Sequence, residues 1–90
     1  MKLNQVIKHL REENNLTQEQ LATKAGLTRG YISRLEAGDY AEGSPALKTL
    51  QKIAEGLSMP LEFILNKAGI TKDDYLKNQN YSWEVLVVDD

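Results

Sequence analysis

The chain has 90 residues, of which 41% are hydrophobic and 27% charged, and its formal net charge is −2. That is the composition of an ordinary globular protein and the length of one domain, too short for two independent cores. It contains no cysteine, which excludes disulfides and thiolate metal sites, and no apolar run approaches the ~18 residues of a membrane span.

Charge is unevenly spread. Residues 1–65 hold eight bases and eight acids, while residues 66–90 hold three bases and five acids, so the acidity sits in the tail. Leu3, Val6, Ile7 and Leu10 fall at i, i+3, i+4 and i+7, so residues 2–13 make an amphipathic helix, ended by ENN. An amphipathic start is not a signal peptide, and the expected compartment is the cytoplasm. In TQEQLATKA, Thr17 can accept the amide of residue 20 while Gln20 reaches back, a reciprocal capping box. Leu21 and Ala22 face inward. Gly26 stops this second helix, because the left-handed C-terminal position carries little penalty only for glycine. Thr28 caps a third helix that runs to about Ala37 and is closed by Gly38.

DYAEGS is a loop. Ser44 and Pro45 then supply an N-cap and a first helical residue for a fourth helix with the stripe Leu47, Leu50, Ile53, Ala54 and Leu57. Pro60 starts a short fifth helix carrying Leu61, Ile64 and Leu65, ended by Gly69. The expected fold is all-α: five helices within residues 1–69, followed by an extension, residues 70–90. In the extension, KDDYLKNQN can form a short turn of helix. YSWEVLVV, residues 81–88, reads as a short β-strand with Tyr81, Trp83, Val85 and Val87 on one face. A single strand on a helical domain must pair, pack or stay disordered.

On a wheel turned about 100° per residue, Thr28, Tyr31, Ile32 and Leu35 cluster on one side, with Glu36 at the edge. Arg29, Gly30, Ser33 and Arg34 fill an arc of about 140° opposite them. The outward strip holds two guanidiniums, one hydroxyl and one position without a side chain. Arginine can bridge O6 and N7 of guanine through two parallel hydrogen bonds, and a glycine lets a helix lie close to a groove floor. Two exposed arginines alone favour ordinary solvated positions; the pattern around them reverses that.

Through LTQEQLATKAGLTRGYISRLEAG and SPALKTLQKIAEGLSMPLEFIL, residues 7–65 resemble the lambda-repressor/Cro-like (Xre-type) helix-turn-helix domain, a five-helix DNA-binding fold. The resemblance implies that residues 28–36 are a recognition helix entering the major groove of double-stranded DNA. Thr28, Arg29, Gly30, Ser33 and Arg34 then stand at base and nearby backbone contacts. Gln18, at the start of the second helix, clamps a phosphate with help from the helix N-terminus, and Thr17 stands beside it. Tyr31 is a core-edge aromatic whose hydroxyl can reach a phosphate. The DYAEGS loop is longer than usual and carries Asp39 and Glu42 where relatives often carry bases, which leaves Lys48 or backbone amides to meet phosphates there. Arg11 and Glu36 match a pair that forms a structural salt bridge.

The expected function is a sequence-specific transcriptional regulator of the repressor type, a homodimer on a palindromic operator with half-sites about one helical turn (~34 Å) apart. Residues 81–88 are the candidate dimer contact, by antiparallel pairing with the two-fold mate; a tail folded back on its own domain is equally open. The alternative, from another class, is an interaction module such as an antitoxin, whose strand adds to a partner protein's sheet edge. No cofactor, metal or catalysis is expected. There is no phosphate-cradling G-x-x-x-x-G-K loop, no metal-ligand cluster, and His9 is the only histidine. The acidic pairs Glu12-Glu13, Asp73-Asp74 and Asp89-Asp90 read as solubilising or capping charge.

Overall fold

The helices begin and end largely where short-range partners satisfy their free backbone groups. The computed structural model describes residues 1–40 and 46–77. They form α1 (Leu3–Glu13), α2 (Gln18–Ala25), α3 (Arg29–Ala37), α4 (Leu47–Gly56), α5 (Leu61–Lys67) and α6 (Lys72–Lys77). At α2 the Thr17 hydroxyl accepts from the Gln20 amide at 3.0 Å, and the Gln20 carbonyl oxygen Oε1 accepts from the Thr17 amide at 2.8 Å. Two free donors are thus satisfied reciprocally. The Thr28 hydroxyl accepts from the Tyr31 amide at 3.1 Å to start α3. Gly26 (φ 69°) and Gly38 (φ 81°) close α2 and α3 in the left-handed region, where a Cβ would strain the backbone.

Helix α2 packs on α3 and α4, α1 on α3 and α5, and α4 on α5. Val6, Ile7, Leu21, Ile32, Leu50, Ile53 and Ile64 are fully buried where these faces meet, each stabilising the fold by about 1.5–3 kcal/mol relative to exposure. The α2–α4 contact depends on Gly56. A Cβ there would lie 3.1 Å from Leu21 Cδ1 and 3.2 Å from the Ala25 backbone nitrogen. The last turn of α4 can therefore press on the end of α2, which seats α2 and, through it, α3.

Two expectations need correcting. The described residues contain six helices: five within residues 1–69, and a sixth at Lys72–Lys77, where only a short turn of helix was expected in KDDYLKNQN. Thr71 starts α6, its hydroxyl accepting from the Asp74 amide at 3.0 Å, and Asp73 and Asp74 favour the positive end of the helix. Tyr75, 2% exposed, joins the core, so burial holds a segment too short to be a stable helix alone. The start of α4 also moves. Its N-cap is Ala46, extended at φ −60° and ψ 151°; the capping roles expected of Ser44 and Pro45 fall outside the described residues.

No strand occurs among the described residues. The strand expected at residues 81–88, with Tyr81, Trp83, Val85 and Val87, lies outside the described residues. No helix among the described residues is long and apolar enough to cross a membrane.

Candidate nucleic-acid interface

Helix α3 has two unlike faces. Ile32, Leu35 and Glu36 are buried and Tyr31 is half-buried, while Arg29, Gly30, Ser33 and Arg34 are exposed. Thr28, which the wheel puts on the apolar side, is exposed at the N-cap and so belongs to the outward surface. Neither Arg29 nor Arg34 forms an ion pair with an acid among the described residues. The Arg34 guanidinium leans back one turn, with Nη2 3.9 Å from where a Cβ on Gly30 would stand, as side chains tilted toward a helix N-terminus do. The space at Gly30 is thus open to solvent and touched only by a flexible guanidinium.

This has a testable consequence. Gly30→Ala meets only an ordinary contact and should raise the stability of the free protein by about 0.5–1 kcal/mol through helix propensity. If α3 approaches DNA closely at this point, the same variant weakens duplex binding. Thermal unfolding and fluorescence anisotropy on one preparation measure both; unchanged binding would show that Gly30 is not a point of close approach.

Glu36, the one acid in α3, points away from this surface. Its side chain is 3% exposed, and Arg11 faces it. Arg11 Nε donates to Oε2 at 2.7 Å and Nη2 donates to Oε1 at 3.0 Å, a bidentate pair. Arg11 Nη1 donates to the Leu16 carbonyl at 2.7 Å, tying in the turn before α2. The hydrogen bond to Glu36 is the largest cause raising the Arg11 pKa above its ordinary value, against the opposing effect of burial. Asn4 Nδ2 donates to the Glu36 carbonyl at 3.1 Å, and Gln18 Nε2 donates to Glu36 Oε1 at 3.1 Å. Glu36 of α3 therefore anchors α1 and the start of α2, while Arg11 holds the turn between them.

The other candidates are placed as follows. Thr17 and Gln18 sit at the N-terminus of α2, Thr17 exposed with its hydroxyl already accepting from Gln20, Gln18 half-buried. Tyr31 packs its ring against Tyr40, centroids 5.1 Å apart and planes tilted by 35°. Burial, and secondarily Tyr40, push the Tyr31 hydroxyl up to about 12, so it stays an O–H donor in neutral solution. Lys48 is exposed in the first turn of α4. Sequence reading missed Asn4, Tyr40 and the bond from Gln18 to Glu36. Their partners are 32, 9 and 18 positions away, and no local pattern signals such pairs.

A helix-turn-helix family model matches residues 7–64. The HTH-type transcriptional repressor RghR of Bacillus subtilis (strain 168) is 42% identical over 67 residues, covering 74% of this chain and 48% of RghR, so the chain spans about half that relative's length. The wild-type restriction-modification controller protein C.Esp1396I superposes with a TM-score of 0.67 at 32% identity, over 83% of this chain and 90% of its own. A chain of the SinR protein/SinI protein complex superposes with a TM-score of 0.65 at 26% identity, over 97% of this chain and 76% of its own. With the matched segment spanning α2, the turn and α3, the chain belongs to the helix-turn-helix family, in its Xre or lambda-repressor-like form.

Proposed function

We propose that this chain binds double-stranded DNA through α3 and acts as a sequence-specific transcriptional regulator of the repressor type. One observation carries the reading: α3 turns Arg29, Gly30, Ser33 and Arg34 outward and unpaired among the described residues, while its single acid is buried against Arg11. Such a surface suits the electronegative major groove. Thr28, Arg29, Gly30, Ser33 and Arg34 are assigned to bases and the nearby backbone. Gln18, Thr17, Tyr31 and Lys48 are assigned to phosphates, with the α2 N-terminus adding its own positive end. Residues 1–69 form the DNA-binding unit and residues 70–90 an extension. The protein is a binder rather than an enzyme and works in the cytoplasm. Its relatives' names, repressor and transcriptional regulator, support this reading.

Selecting duplexes from a random pool tests it. The expected product is a palindromic consensus with half-sites about 10 base pairs apart. A pool that stays random after selection would overturn sequence-specific binding.

The palindrome rests on a homodimer, for which residues 81–88 are the proposed contact through Tyr81, Trp83, Val85 and Val87. Light scattering should show a full-length dimer and a monomer for the chain ending at residue 80; a dimer in both would remove these residues from the contact. The likeness to a chain of the SinR protein/SinI protein complex, matched over 97% of this chain, supports a second reading in which the extension also binds a partner protein, as an antitoxin does.

A further inference from the structure

Gln18 is a long side chain at the edge of the proposed interface, yet it is already held. Its amide nitrogen Nε2 donates to Glu36 Oε1 at 3.1 Å, and the carboxylate it meets is fixed by two Arg11 donors at 2.7 and 3.0 Å. An ionised carboxylate only accepts, whereas an amide has one donating and one accepting end. Glu36 therefore determines which way round the Gln18 amide sits, since the reverse orientation would set oxygen against oxygen. One of the two N–H groups on Nε2 is used by Glu36. The other meets no acceptor among the described residues and remains for one from outside.

We propose that Glu36 is a positioning residue for binding of the DNA backbone: buried in α3, it pre-orders the Gln18 amide at the start of α2 so that the remaining N–H meets a phosphate. The proposal rests on the DNA-binding reading above. A free glutamine would lose its side-chain freedom on binding, and a held one has already lost it. Arg11 makes the arrangement workable, because its guanidinium offsets the Glu36 charge that would otherwise repel the phosphate.

A double-mutant cycle on the full-length chain tests this, read as affinity for a random-sequence duplex at low salt by fluorescence anisotropy. Gln18→Met, which keeps length but removes the donor, should weaken binding about tenfold. Glu36→Gln, which permits either amide orientation, should weaken it about three- to tenfold more in the Gln18 chain than in the Gln18→Met chain. Removing a negative charge has its own effect on affinity, but that effect is common to both backgrounds and cancels in the cycle. An equal effect in both backgrounds, or tighter binding only where Gln18 is present, would overturn the proposal. If Glu36→Gln does not fold, Arg11→Met combined with Glu36→Met takes its place, since it leaves no uncompensated buried charge, and the same comparison decides. A wild-type chain that binds no duplex would overturn the DNA-binding reading and this proposal together; wild-type binding with no coupling between positions 18 and 36 overturns this proposal alone.

Discussion

Arg11→Met should cost about 3–5 kcal/mol of folding free energy, because it leaves the Glu36 carboxylate buried without its partner. The side chains of the pair are 10% and 3% exposed, so solvent screens them little. The same change frees the Leu16 carbonyl, which Arg11 Nη1 satisfies at 2.7 Å. A domain of this size has only about 5–10 kcal/mol in total, and each kcal/mol shifts the midpoint by about 4–8 °C. The variant should therefore melt tens of degrees lower by circular dichroism, on the order of 15–30 °C. An arginine whose pKa is raised on folding contributes stability that is fully present below its ordinary value and fades only as pH rises through and above it. Arg11 is consequently charged throughout the neutral range, and its contribution should not fade between about pH 6 and pH 9. A loss below about 1 kcal/mol would mean that the pair behaves as an exposed one does.

Arg34→Ala should act on binding and leave folding alone. Arg34 is exposed and makes no ion pair among the described residues, so the melting temperature should stay within a few degrees of wild type. If its guanidinium bridges a guanine, each half-site loses about 1–3 kcal/mol of specific binding, and a symmetric dimer loses about twice that. Anisotropy titrations on the selected operator and on a random duplex separate the possibilities. A base contact weakens the operator alone and relaxes preference at one position. Uniform weakening on both duplexes would move Arg34 to the phosphates, which is the behaviour expected of Lys48→Ala. No change on either would leave Arg34 a solvated helix residue, the meaning its composition alone would give it.

Much of the frame is legible in the chain because its determinants are local. Thr17 with Gln20, Thr28 with the Tyr31 amide, and Gly26 and Gly38 at the helix ends all act across three or four residues. A spacing in the sequence is then nearly a distance in space. The stripes Leu3–Val6–Ile7–Leu10 and Leu47–Leu50–Ile53–Ala54 likewise mark buried or half-buried faces, since 3.6 residues make one turn. For α6 this logic gives only a short turn of helix in KDDYLKNQN. Its six residues carry little periodicity, and it is Tyr75 entering a core made by other helices that holds it in place.

At the interface the division is sharper. Residue spacing alone identifies the helix that is amphipathic and basic outward, and the family pattern pairs Arg11 with Glu36. The wheel left Glu36 at an edge, where a small rotation of α3 would have exposed a negative charge beside Arg29 and Arg34. It is helix packing that turns the carboxylate inward, where Arg11 from α1 meets it and it holds Gln18 from α2. Likewise only the packing brought Tyr40 onto Tyr31 and Asn4 onto the end of α3. The reason is physical: helix starts, stops and faces depend on neighbours one turn away, whereas a buried charge settles its orientation by the partners that several helices bring to it at once.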